Sequence, residues 1–174
     1  MKKIENKDLG RLTVEEFSVA KKRPIILIAD NIRSSNNVGS LFRTADAFAI
    51  EQVWLCGITA TPPDREIHKT ALGAELTVQW RKFATTVEAI NELKSMGYTA
   101  IAVEQVEGAC SLECFTSPNQ GCGLVLGNEV KGVDQEVVDM CDMAIEIPQW
   151  GTKHSLNVSV SAGVVLWQCI SKDL

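Results

Sequence analysis

The stretch MAIEIPQWGTKHSLNVSVSAGVVLW, Met143 to Trp167, decides how the rest of the chain is read. Met143 to Ile147 is a short apolar run that reads as a strand. Pro148, with no N–H to give a ladder, ends it. A polar loop follows, with Gly151, Thr152, Lys153 and His154. Ser155 and Asn157 then stand where a helix should begin, and both can cap exposed backbone N–H groups. The helix itself, about Leu156 to Ile170, is almost wholly apolar or small. Ser159, Ser161, Ala162 and Gly163 would let another backbone come close. Such a helix must be covered, by the rest of the domain or by a second subunit. Its polar groups gather at its mouth, which is where chemistry would sit.

Outward from that stretch, length and composition set bounds. A chain of 174 residues is sized for one domain, 1–174, with 1–23 as a short N-terminal helical extension. No run approaches the roughly 18 apolar residues of a membrane span, so no membrane partner is expected. The N-terminus MKKIENKDLGRL has no apolar stretch after its basic residues and does not read as a secretory signal. A cytoplasmic location follows as the expectation. Six scattered cysteines form no C-x-x-C pair and read as reduced, mostly buried thiols; a zinc site or disulfide framework is the alternative. His68 and His154 are too few for a metal centre, and no metal is expected. A net charge of −5 argues against a general nucleic-acid coat but leaves room for a local basic patch.

In order, the chain alternates strand and helix. Thr13-Val14-Glu15-Glu16 has the capping-box pattern and opens a helix to about Ala20. Ile25 to Ala29 is a continuous apolar run, as expected of a strand buried on both faces of a parallel sheet. Helices are expected over about Val38 to Phe48, Thr85 to Met96 and Asp134 to Cys141. In the second of these, Val87, Ile90, Leu93 and Met96 recur at helical spacing and Gly97 ends it. Strands are expected at Gln52 to Cys56, Thr99 to Val103 and Cys122 to Leu126. Ile67 to Val78 is ambiguous and Glu107 to Gln120 irregular. Repeated β-α units mean an α/β protein with a mostly parallel sheet flanked by helices.

Three polar clusters follow strands, at the carboxyl ends where open α/β sheets bind ligands. The first runs from Asn31 to Arg43, with Asn37 and Arg43 expected loosely on one helical face. An arginine amid Leu41, Phe42, Ala45 and Ala47 is unusual for a merely solvated position; a snorkelling surface Arg is the plain alternative. The second, Gly127-Asn128-Glu129-Val130-Lys131-Gly132-Val133-Asp134, has the G-x-x-x-x-G spacing of a phosphate loop, but Val133-Asp134 stands where Lys-Ser/Thr is required. No G-x-G-x-x-G occurs, so ATP, GTP and NAD fingerprints are absent. Glycines still allow a ligand to lie against backbone. The third is Ser155-Leu156-Asn157. No G-x-S-x-G elbow supports a catalytic serine.

Taken together, Asn37-Val38-Gly39-Ser40-Leu41-Phe42-Arg43-Thr44-Ala45, then Leu124 to Val133, then Ile147-Pro148 with Ser155-Leu156-Asn157-Val158-Ser159 resemble the SPOUT methyltransferases, specifically the TrmH-like (SpoU) RNA ribose 2′-O-methyltransferases. The resemblance runs from about Pro24 to Ile170. It implies an α/β knot, with the C-terminal segment in a deep trefoil. It implies S-adenosylmethionine as cofactor, bound at Leu126, Gly127, Ile147, Ser155 and Leu156 largely through backbone. It implies a homodimer with the C-terminal helix in the interface. It implies Arg43 as the group that activates a ribose hydroxyl, with Asn37, Glu129, Ser155 and Asn157 around it. The partner would be RNA, tRNA in preference to rRNA given the small size and missing extension, met by Lys21 to Arg23, Arg33, Arg65, Lys69 and Lys131. A guanidinium stays protonated, with a pKa above roughly 12. Arg43 therefore suits stabilising a developing alkoxide or clamping a phosphate. Glu129 can bind substrate, hold Arg43, or simply sit at a helix N-terminus. Two rival functions stand beside this: a catalytically inactive RNA-binding module of the same fold, and a flavodoxin-like nucleotide-binding enzyme.

Overall fold

The structure is a computed structural model that describes residues 1–5 and 8–171. Its centre is β1, Arg23–Asp30, whose last six residues are all buried. Along it the side chains alternate between two cores. Ile25, Leu27 and Ala29 pack with helices α2 (Ser35–Ala47) and α6 (Val158–Ser171), through Val38, Leu41, Phe42, Ala162, Val165 and Leu166. Ile26 and Ile28 pack with α4 (Thr86–Ser95) and α5 (Gln135–Met140), through Ala89, Ile90, Leu93 and Val137. A period of two on a strand covered on both faces gives this three-layer arrangement, and explains why the sequence there shows no polar alternation.

The remaining strands are β2 (Ile50–Cys56), β3 (Gln79–Phe83), β4 (Thr99–Val103), β5 (Cys110–Ser111), β6 (Cys122–Leu126) and β7 (Met143–Glu146). They form one seven-stranded sheet in the order β3-β2-β1-β6-β4-β7-β5, and every pairing is parallel. All strand carboxyl ends therefore open on one edge. β1, β6, β4 and β7 are consecutive neighbours in that order, so the loops that leave them converge.

Helix starts follow their caps. Helix α1, Val14–Val19, has both capping-box bonds: the Thr13 N–H donates to Glu16 Oε2 at 2.8 Å and the Glu16 N–H to Thr13 Oγ1 at 3.2 Å. Helix α2 begins three residues earlier than its apolar pattern predicts, because Ser34 Oγ accepts the Asn37 N–H. Helix α6 begins at Val158 rather than Leu156, because Asn157 Oδ1 accepts the Ser159 N–H at 3.0 Å; Ser155 lies in the loop before it. The ambiguous Ile67 to Val78 resolves into α3, Arg65–Ala71, and a 3-10 turn at Ala74–Leu76. Helix α4 buries Thr86, Ala89, Ile90 and Leu93, while Met96 stays exposed. Strand β3 was not expected: its residues QWRKF are mostly exposed on an edge and carry no apolar run.

The six cysteines are free thiols. Burial pushes the Cys56 and Cys169 thiols up to about 12. Among the described residues no helix is long and apolar enough to cross a membrane.

Candidate active site

Where β4, β6 and β7 end, a cleft of about 520 Å³ opens. One wall is the loop after β6, Gly127 to Gly132; the other is the segment from Ile147 to the start of α6. The first wall is closed on itself. Asn128 and Gly132 exchange both backbone hydrogen bonds at 2.9 Å. Asn128 Oδ1 accepts the Val130 and Lys131 N–H groups at 2.9 and 3.2 Å, and its Nδ2 donates to the Asn31 carbonyl at 2.7 Å. Gly132 takes φ +72°, the left-handed region that glycine tolerates. A Cβ on Gly127 would lie 2.2 Å from the Gly132 carbonyl carbon. The close approach that Gly127 permits is thus made by its own loop.

That turn projects Glu129 at the N-terminus of α2. The Glu129 carboxylate accepts the Arg33 N–H at 3.0 Å, the Ser34 N–H at 3.1 Å and the Asn37 Nδ2 at 2.9 Å. Burial would raise its pKa, but the Arg33 backbone bond and the Asn37 side-chain bond outweigh it and hold the carboxyl below the usual glutamate value. Asn37 faces the other way too: its Oδ1 accepts the Asn157 Nδ2 at 3.1 Å. The Asn157 Oδ1 in turn accepts the Ser159 N–H and, at 2.6 Å, the Ser159 hydroxyl. Donors and acceptors match at every link. Glu129, Asn37 and Asn157 therefore form one relay that joins three clusters distant in sequence.

The residues expected at a cofactor, Leu126, Gly127, Ile147, Ser155 and Leu156, all line the cleft. So do Glu129 and Asn157. Ser155 is exposed, and no hydrogen bond joins it to His154 or to any other described residue. Arg43 stands apart. It is exposed on α2, does not line the cleft, and has no hydrogen bond or ion pair to a described residue. The expectation of a shared face with Asn37 is corrected by the helix: six residues at about 100° each leave the two side chains roughly 120° apart. Of the basic positions, Lys131 lines the cleft and Arg33 and Arg65 are exposed. Lys69 pairs with Glu66 at 3.6 Å, and the Lys22 ammonium lies 3.5 Å from the Phe17 ring centroid.

Sequence reasoning missed several polar cleft residues, among them Glu104, Gln105, Glu146, Gln149 and Ser161. Glu104 and Gln105 follow β4 directly and touch both walls. They sit in no recognised motif; their position after a central strand was the available signal. A second, more apolar cavity near Pro62, Pro63 and Trp80 is lined by Arg65 but by none of the residues expected at the catalytic or cofactor site.

Residues 24–167 match the model of the SpoU rRNA Methylase family. The chain is 34% identical over 143 residues to the 23S rRNA (guanosine-2′-O-)-methyltransferase RlmB of Neisseria meningitidis, covering 82% of this chain and 56% of that protein. It is 29% identical over 168 residues to the tRNA (guanosine(18)-2′-O)-methyltransferase of Aquifex aeolicus, covering 95% of this chain and 76% of that one. Among solved structures, the AdoMet-bound rRNA methyltransferase of Sinorhizobium meliloti superposes with a TM-score of 0.81 at 24% identity, over 88% of this chain and 58% of its own; that likeness speaks for the fold. The chain thus spans just over half the length of the Neisseria relative.

Proposed function

The chain belongs to the SpoU rRNA Methylase family, and from that premise we propose that it transfers a methyl group from S-adenosylmethionine to a ribose 2′-hydroxyl of RNA. The observation that carries this reading is the Glu129, Asn37 and Asn157 relay at the mouth of the cleft. A purely structural loop would not need three polar side chains from three separate elements to converge beside a void.

The cleft fits the cofactor. Its volume lies in the range of small-molecule sites. Leu126, Ile147 and Leu156 supply apolar wall, while backbone of the Gly127 loop and the Ser155 hydroxyl supply polar contacts. The bound cofactor supplies an electrophilic methyl on its sulfonium. The chain's own residues then orient the hydroxyl and absorb charge. Ionised Glu129 and the two asparagines hold the α2 N-terminus and the α6 N-terminus in fixed relation. Arg43, always cationic, stabilises the developing alkoxide or clamps the neighbouring phosphate, and the proton passes to a phosphate oxygen or water.

Arg43 performs that role from a second copy of the chain. Val160, Val164 and Trp167 form an exposed apolar stripe along α6, with Trp167 54% exposed. Trp167 lies 6.4 Å, centroid to centroid, from Phe48 at the end of α2. A homodimer closed through this stripe would border α2, the helix that carries Arg43. We further propose a single methyltransferase domain with a C-terminal trefoil knot, supported by β6 and β7 each inserting beside the earlier β4, and a cytoplasmic location, where RNA substrates are met. The relatives include both tRNA and rRNA enzymes, so the substrate is proposed as RNA of either class.

Calorimetry tests the cofactor. S-adenosylmethionine should bind the purified protein while FMN and ATP do not. Binding of FMN in its place would return the chain to the flavodoxin-like reading.

A further inference from the structure

We propose that Glu104 and Gln105 are positioning residues that brace the two walls of the cleft, one arm to each wall; the proposal rests on the reading of that cleft as the S-adenosylmethionine site. Strand β4 lies between β6 and β7, with Val103 in register with Leu126 on one side and Ile145 on the other. Those two strands carry the two walls. The residues that follow Val103 are therefore delivered between them, and the Glu104 N–H is fixed there by the Ile145 carbonyl at 3.0 Å.

Each side chain takes one wall. Glu104 Oε1 accepts the Gln105 N–H at 2.8 Å, which fixes the carboxylate to its own turn. Its Oε2 accepts the Val133 N–H at 2.9 Å, at the foot of the Gly127 to Gly132 loop. The loop makes room for it: a Cβ on Gly132 would lie 2.2 Å from Glu104 Oε2. Gln105 points to the other wall, and its Nε2 donates to the His154 carbonyl at 2.7 Å. Both Glu104 oxygens accept backbone N–H groups, which ties the carboxylate to the loop. A charge-assisted bond to a backbone N–H is among the stronger local restraints. Held walls remove ordering cost from cofactor binding, which is the benefit of preorganisation.

The test uses the full chain with Glu104→Ala, Glu104→Gln and Gln105→Ala, reading S-adenosylmethionine affinity by calorimetry and amide hydrogen exchange by segment. Loss of one such bond should weaken cofactor binding about tenfold in either alanine variant. Exchange should quicken at residues 127–133 in Glu104→Ala and at 148–157 in Gln105→Ala, each without the other. Glu104→Gln keeps one acceptor oxygen but sets its NH2 against the other N–H, and should recover only part of the affinity that Glu104→Ala loses. Wild-type affinity in both alanine variants would overturn the brace, as would faster exchange spread through the whole fold with no rescue by glutamine. Should Glu104→Ala fail to fold, Gln105→Ala, a change at an exposed side chain, decides by the same two readouts. A wild-type protein that takes up no S-adenosylmethionine overturns the functional reading and the brace together; a wild type that binds it beside variants that bind it equally well overturns the brace alone.

Discussion

Asn37 uses both ends of its amide, donating to Glu129 and accepting from Asn157, and its neighbours decide what a substitution does. Asn37→Ala removes two hydrogen bonds; Asn37→Asp also sets a second carboxylate against Glu129. Like charges at that distance raise a carboxyl pKa, so Glu129 should titrate higher in Asn37→Asp than in the wild type, as followed by carboxyl NMR shifts against pH. The wild-type Glu129 pKa is depressed by folding. Its stabilising contribution is therefore full above the ordinary glutamate value and disappears as pH falls through the lower, folded value. Methyl transfer in acid should fail earlier in Asn37→Asp than in the wild type. Arg43 carries a separate prediction. Arg43→Ala should lose about 100- to 1000-fold in single-turnover rate, as when a group aimed at a developing oxyanion is removed, with cofactor affinity kept. Arg43→Lys should also fail, since lysine retains the charge but not the planar fork. That polar clusters follow the buried strands was legible, because such side chains are conspicuous there; the roles of single residues came from the family resemblance. Their pairing was not legible: nothing in Gly127 to Val133 says that Glu129 reaches back to the N-terminus of α2, a contact that depends on β6 lying beside β1.

The C-terminal helix is the element with the most unexplained apolar surface. Val165, Leu166 and Ile170 are buried against the sheet, while Val160, Val164 and Trp167 are exposed. Val164→Glu puts a charge in the middle of that stripe without touching the buried face. If the proposed dimer forms through α6, this variant should be a folded monomer in light scattering and circular dichroism and should lose methyl transfer; a dimer of unchanged activity would remove the α6 interface. The apolar character of α6 was plain in the sequence, but its start was not, since Ser155 and Asn157 are both good caps and only geometry selects Asn157. Strand β3 was illegible for the opposite reason. Its residues QWRKF pair on one side only, with β2, and an edge strand needs little apolar content. For α4 the exposed Met96 and buried Ala89 and Thr86 show apolar spacing misplacing the buried face by part of a turn.

At the scale of the molecule, the α/β class followed from continuous apolar strands such as Ile25 to Ala29 separated by helical segments. The strand order did not follow, because parallel neighbours are fixed by crossovers and by contacts far apart in sequence rather than by local pattern. That order is what gathers the cleft: β6 and β4 fill the space between β1 and β7, so the motifs after β1, β6 and β7 share one edge with the unmotivated pair Glu104 and Gln105. The chemistry assigned to that edge is tested most directly by incubating the protein with methyl-labelled S-adenosylmethionine and RNA from a strain lacking it, then digesting the RNA and identifying the labelled nucleoside by mass spectrometry. Label is expected on a ribose 2′-oxygen with the wild type and almost none with Arg43→Ala. Label on a base, or no transfer to any RNA by a protein that binds the cofactor, would contradict it.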